Sequence, residues 1–81
     1  MAKPSPQHAG NPTLVALGGT IKHARIQLGM SQEALALNVG LDRSYMGGIE
    51  RGEHNVAIMN LLKIASALGL KPSDLLARSG Y

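Results

Sequence analysis

The chain has 81 residues, no cysteine, two tyrosines as its only aromatics, and a net charge of +3 with a pI near 9.7. That length builds one small domain with a modest core, which excludes disulfides and thiolate metal sites through the missing cysteines, and makes a base-stacking platform for single strands unsupported. No apolar run approaches the roughly 20 residues that span a bilayer and no apolar leader follows Lys3, so a cytoplasmic location is expected. The slight basic excess suits a polyanionic partner without requiring one.

Residues 1–12 hold Pro4, Pro6, Gly10 and Pro12 with almost no apolar content, and are expected as a disordered tail ahead of a domain over 13–81. Lys3 is the only strong charge there, a thin basis for an arm that follows a DNA groove. A first helix is expected from Thr13 as cap to about Gln27, with Leu14, Leu17, Ile21, Ala24 and Leu28 on one face. Gly18-Gly19 weakens it by about 1 kcal/mol per glycine, which predicts a frayed first turn and a firm start near Gly19 or Thr20. Gly29 ends this helix and Ser31 caps the next.

The second helix runs from Gln32 to about Val39, with Leu35, Ala36 and Val39 inward. Gly40 supplies the left-handed turn that closes it, Leu41 is an apolar plug, and Asp42 caps a third helix. That third helix, over 43–51, turns Met46 and Ile49 inward and stops at Gly52. Ala36 is small enough to let the two helices approach closely. Two short helices meeting at such a turn form a helix-turn-helix over about 32–51, whose second helix fits a DNA major groove.

The polar loop Glu53-His54-Asn55 leads to a fourth helix reaching Leu68, with an apolar stripe of Ile58, Leu61, Leu62, Ala65 and Leu68. No capping side chain stands at Ala57, and Asn55 is the nearest substitute. Gly69 closes that helix. Pro72 and Ser73 begin a short fifth helix, Asp74 to about Arg78, which presents Leu75 and Leu76. The expected fold class is all-α, a compact five-helix domain.

Met30-Ser31-Gln32-Glu33-Ala34-Leu35-Ala36, followed by Ile49-Glu50-Arg51-Gly52, resembles the lambda-repressor-like helix-turn-helix family, also called the XRE family. With Arg43-Ser44-Tyr45 included, the chain is most similar to the controller proteins of restriction–modification systems. The likeness extends over roughly Leu17 to Leu76. It implies a sequence-specific transcriptional regulator of double-stranded DNA, and an ion pair between Arg25 and Glu50 that fixes the recognition helix. That pairing would also turn the Glu50 carboxylate away from phosphate.

Several side chains are placed to meet DNA. Gln32 opens the second helix, where free backbone N–H groups and the positive dipole end favour phosphate; the resemblance implies contact with the DNA backbone or a base edge. Arg43 in the first turn of the third helix can donate bidentately to guanine O6 and N7, and Ser44 is short enough for a base edge or a phosphate. Tyr45 is open to two roles, a hydroxyl on phosphate or a ring sealing the domain. The resemblance makes Arg51 and Asn55 candidates for gripping the backbone, with His54 weaker because a neutral imidazole adds little charge near neutral pH. Gly47-Gly48 sits mid-helix at a cost of about 2 kcal/mol: either the missing side chains let DNA approach closely, or they are tolerated drift in a loosely formed helix.

One recognition helix reads too few base pairs for a unique site, so a homodimer on a palindromic operator is expected, with half-sites about 34–36 Å apart. Met59, Leu62, Leu75 and Leu76, with Tyr81, are the apolar surplus from which the dimer interface is expected. The alternative is an antitoxin-type helix-turn-helix module whose main partner is a toxin protein. An enzyme reading has no support: His8, His23 and His54 lack metal-ligand spacing, no Walker-type phosphate loop exists, and no nucleophile–base pair is visible. No cofactor, metal, membrane or small-molecule ligand is expected.

Overall fold

A computed structural model describes residues 9–81; residues 1–8, most of the expected tail, lie outside the described part. Five helices follow in order: α1 (Pro12–Gln27), α2 (Gln32–Val39), α3 (Arg43–Glu50), α4 (Ile58–Ala67) and α5 (Pro72–Arg78). The all-α class is as the spacing requires.

The entry to α1 differs from the expectation. Asn11, not Thr13, is the N-cap, its side-chain oxygen accepting from the Thr13 N–H at 2.9 Å. Pro12 occupies the first turn, where its missing N–H costs nothing. The Gly10 N–H donates to the Gly52 carbonyl at 3.1 Å, so residues 9–12 are pinned against the end of α3 and do not belong to a tail. Thr13 instead shares a hydrogen bond with the Tyr81 hydroxyl at 2.6 Å. Nor does α1 fray at its glycines. A methyl group on Gly18 would lie 2.7 Å from the Glu50 carbonyl oxygen and closer still to that of Ile49. Glycine here lets α1 and α3 meet backbone to backbone, and the packing gained offsets its poor helix propensity.

Local chemistry then sets the helix-turn-helix. Ser31 Oγ accepts from the Ala34 N–H at 3.0 Å, opening α2. Gly40, with φ 72°, closes it and returns the chain, and the Leu41 N–H bonds the Ala36 carbonyl at 2.9 Å, a C-terminal closure of Schellman type. Asp42 Oδ2 accepts from the Ser44 N–H at 3.1 Å and opens α3.

The core gathers Leu17, Ile21 and Ala24 of α1, Leu35, Ala36 and Val39 of α2, Met46 and Ile49 of α3, Leu61, Ile64 and Ala65 of α4, then Leu68 and Leu75. Four expected core residues are outside it, Leu14 among them because it is only half-buried. Leu28 and Ile58 are exposed at helix ends that project past the core, and Leu62 is exposed because α4 is rotated to bury Leu61, Ile64, Ala65 and Leu68, an i, i+3, i+4, i+7 stripe. Ala57 is the N-cap of α4 and no side chain caps it; Asn55 stays exposed in the loop and does not take that role. At α5 the Asp74 carboxylate accepts from the Lys71 N–H at 2.9 Å, so the helix begins at Pro72, two residues before the expected start.

Candidate nucleic-acid interface

A buried polar cluster joins α1, α2 and α3. Arg25 Nε donates to Glu50 Oε2 at 2.7 Å and Arg25 Nη2 donates to Glu50 Oε1 at 3.0 Å. The third guanidinium nitrogen, Nη1, donates to the Met30 carbonyl at 2.8 Å. These bonds to Glu50 raise the Arg25 pKa above its ordinary value, against the opposing effect of burial. Gln32 completes the cluster, its Nε2 donating to Glu50 Oε1 at 3.0 Å. The first residue of α2 and the last of α3 are thereby fastened to one carboxylate. Such a pair contributes to geometry more surely than to net stability, but losing one partner is costly.

The N-terminal turn of α3 is the exposed part of that helix. Arg43 is exposed and Ser44 half-buried. Asp42 beneath them has its pKa lowered, first by the Ser44 side-chain hydrogen bond and then by backbone N–H groups; an anion at a helix N-terminus is favoured in its charged form. Tyr45 is half-buried, its ring centroid 4.7 Å from that of His54 in a tilted stack. Asn55 is exposed on the loop after α3, apart from the polar cluster.

The two glycines of α3 are covered by neighbouring side chains. Both are buried. A methyl group on Gly48 would sit 2.5 Å from Cδ2 and Nε2 of His54, so the imidazole fills the space a side chain would take. On Gly47 it would meet Arg51 Nη1 at 3.0 Å and Gln32 Oε1 at 3.2 Å. Gly48 is therefore matched to the His54 ring, while over Gly47 only the movable tips of Arg51 and Gln32 stand in the way. His54, a marginal candidate by sequence, is a packing residue: it is buried, and its Nε2 is the one buried side-chain polar atom without a partner among the described residues.

Arg51 is exposed and forked on Glu53, with Nε to Oε2 at 2.8 Å and Nη2 to Oε1 at 3.2 Å. That fork lowers the Glu53 pKa and raises that of Arg51. Glu53 carried no role in the sequence reading. The signal for it was an acidic residue two positions from an arginine in a segment expected to face DNA.

Of the expected interface residues, Leu75 is fully buried at 0% exposure and belongs to the core. The docking of α5 on α1 and α4 turns it inward and leaves Leu76 outside. Met59 and Leu62 are exposed, 61% and 41%. They border a groove between α4 and the end of α2 to which Leu37, 82% exposed, also contributes. Leu37 was missed; a leucine off the buried stripe of α2 was its signal. No cluster of three or more His, Asp or Glu able to hold a metal occurs among the described residues.

The helix-turn-helix family profile matches residues 21–75. The chain is 42% identical over 67 residues to the control protein C.BamHI of Bacillus amyloliquefaciens, spanning 82% of this chain and 83% of that one. It superposes on the restriction–modification controller protein C.AhdI of Aeromonas hydrophila with a TM-score of 0.75 at 50% identity, covering 76% of this chain and 94% of the other. It superposes on SinR, a master regulator of biofilm formation solved in complex with DNA, with a TM-score of 0.70 at 34% identity, covering 74% and 97%.

Proposed function

The chain belongs to the helix-turn-helix family of DNA-binding transcriptional regulators, and on that premise we propose that it acts as a homodimer on a palindromic operator, with α3 in the major groove. The observation that carries this reading is the contrast within α3. Its C-terminal half is locked by the Gly18 contact and the Arg25–Glu50–Gln32 cluster, while its N-terminal turn carries an exposed Arg43 and a half-buried Ser44. A rigid helix presenting an arginine and a hydroxyl at its first turn is suited to base-edge contacts. The free backbone N–H groups of the first turn of α2, which Gln32 opens, add a phosphate contact beside it.

Dimerisation follows from the limited reach of one such helix. Leu37, Met59 and Leu62 around the α2–α4 groove, with Leu76, supply the apolar area for it. Leu62→Asp is expected to shift the dimer toward monomer in light scattering and to weaken operator binding without unfolding the domain. The family likeness to C.BamHI and C.AhdI favours a role as a controller of a restriction–modification system, and a neighbouring endonuclease gene is the expected genomic context. Selection of binding sites from random duplex DNA, read by sequencing, tests the central claim. Two symmetric half-sites one helical turn apart, or a multiple of it, are expected; a single asymmetric site, or none, would sink the homodimer reading.

A further inference from the structure

The Arg51–Glu53 fork has a free side. A guanidinium has five N–H groups, and Glu53 takes two of them, on Nε and Nη2. The end-on pair, Nη1 with the remaining hydrogen of Nη2, has no partner among the described residues. Its Nη1 lies 3.0 Å from the point where a Gly47 side chain would begin, and Gln32 Oε1 lies 3.2 Å from the same point. Gln32 is held in that orientation because its Nε2 donates to Glu50, which only an amide N–H can do. Above Gly47, therefore, a donor, Nη1 of Arg51, and an acceptor, Oε1 of Gln32, come near one point, and the remaining Nη2 hydrogen shares the end-on guanidinium edge with Nη1.

A phosphate offers acceptors only and is repelled by a carbonyl oxygen and by the Glu53 carboxylate. A G·C pair offers two acceptors, guanine N7 and O6, followed by the cytosine N4 amino donor. Donor, donor, acceptor is the complement of that pattern. We propose that Arg51 is a second base-reading residue, specific for guanine in a G·C pair, and that Glu53 is the residue that positions it. This rests on the DNA-binding reading above and adds a specificity element at the C-terminal end of α3, distinct from Arg43. Glu53 also places a negative charge beside the duplex, which weakens attachment to sequences that lack the guanine. It acts on specificity from both directions.

The experiment uses the full chain and a duplex set comprising the operator it selects and every single-base variant of it. Stability is followed in parallel by thermal unfolding, to show that each variant is folded. In the wild type, one G·C position should lose about 5- to 150-fold in affinity when replaced, the range of one bidentate contact. Arg51→Ala and Arg51→Lys should both erase discrimination there, since lysine keeps the charge but not the fork. Glu53→Ala should erase it at the same position while binding to unrelated duplex holds or rises and becomes more salt-dependent, because the freed guanidinium turns to phosphate. Glu53→Gln, which retains an oxygen acceptor for the guanidinium, should keep most of the discrimination.

Equal loss on every sequence in Arg51→Ala would make Arg51 a phosphate grip and overturn the proposal. So would full discrimination in Glu53→Ala, or a loss in Glu53→Gln as complete as in the alanine variant. A wild-type protein with no preference among duplexes overturns the DNA-reading function itself, and that result is visible before any variant is made.

Discussion

The two sides of α3 are built on opposite terms. On the inward side, two glycines and one carboxylate accept close packing: Gly18 lies against the α3 backbone, His54 fills the space above Gly48, and Glu50 receives hydrogen bonds from Arg25 and Gln32. On the outward side, Arg43 is exposed and the exposed Arg51 is forked on a half-buried Glu53. The inward side spends glycine and buried charge to fix a position, and the outward side keeps long polar side chains free to meet something else. Substitutions should therefore separate cleanly into those that change folding and those that change recognition.

The largest effect is expected from Glu50→Ala, which leaves the buried Arg25 guanidinium without its acceptor. Breaking such a pair costs about 3–5 kcal/mol, which thermal unfolding should register as a fall well over 10 °C in a domain of this size, at roughly 4–8 °C per kcal/mol. A loss under about 1 kcal/mol would mean that the cluster does not anchor α3. Next come the adjacent glycines of α1, which should move in opposite directions. Gly18→Ala meets two backbone carbonyls and is expected to cost about 1–3 kcal/mol, whereas Gly19→Ala meets nothing within 4 Å and should gain up to about 1 kcal/mol.

A smaller test concerns His54. Gly48→Ala alone should destabilise by displacing the imidazole, on the order of 1–2 kcal/mol, and the same change in a His54→Ala background should be neutral or stabilising. A double-mutant cycle with no coupling between the two would remove the imidazole's packing role. On the outward side, Arg43→Ala should leave stability within about 0.5 kcal/mol while lowering discrimination at one base position by about 1–3 kcal/mol. If it weakens all sequences equally, Arg43 does not read a base. The smallest expected effect is on pH. The lowered pKa of Asp42 means its cap contributes fully above the ordinary carboxylate pKa and is lost as pH falls through the depressed folded value. Denaturant unfolding across the acid range should show that loss in the wild type and not in Asp42→Asn, which still caps.

The features legible in the sequence are those whose chemistry is local. Ser31 as a cap, Gly40 as a turn and Asp42 as a second cap each depend on residues within a few positions, and each can be read without knowing the fold. The glycines of α1 and α3 could not be, because what fills the space beside Gly18 and Gly48 comes from distant or non-helical parts of the chain. Sequence alone registers only their propensity cost. Leu75 and Leu76 are neighbours in a seven-residue helix, too short for periodicity to say which faces inward; the docking of α5 decides it. Arg25 and Glu50 were paired through the family likeness, since nothing in their spacing places them together. The fork of Arg51 on Glu53 lies only two residues apart, yet it needed the left-handed Gly52 between them, at φ 76°, to become visible.

The stack of Tyr45 on His54 also gives the molecule a built-in optical probe. The chain has no tryptophan and only two tyrosines, one on α3 and one at Tyr81, far along the sequence and bonded to Thr13. Replacing Tyr81 with phenylalanine leaves a single phenol emitter seated on the imidazole beneath α3. Its emission would follow any shift of that helix or its following loop when duplex is added, so association could be timed in a stopped-flow instrument without attaching a dye to either partner.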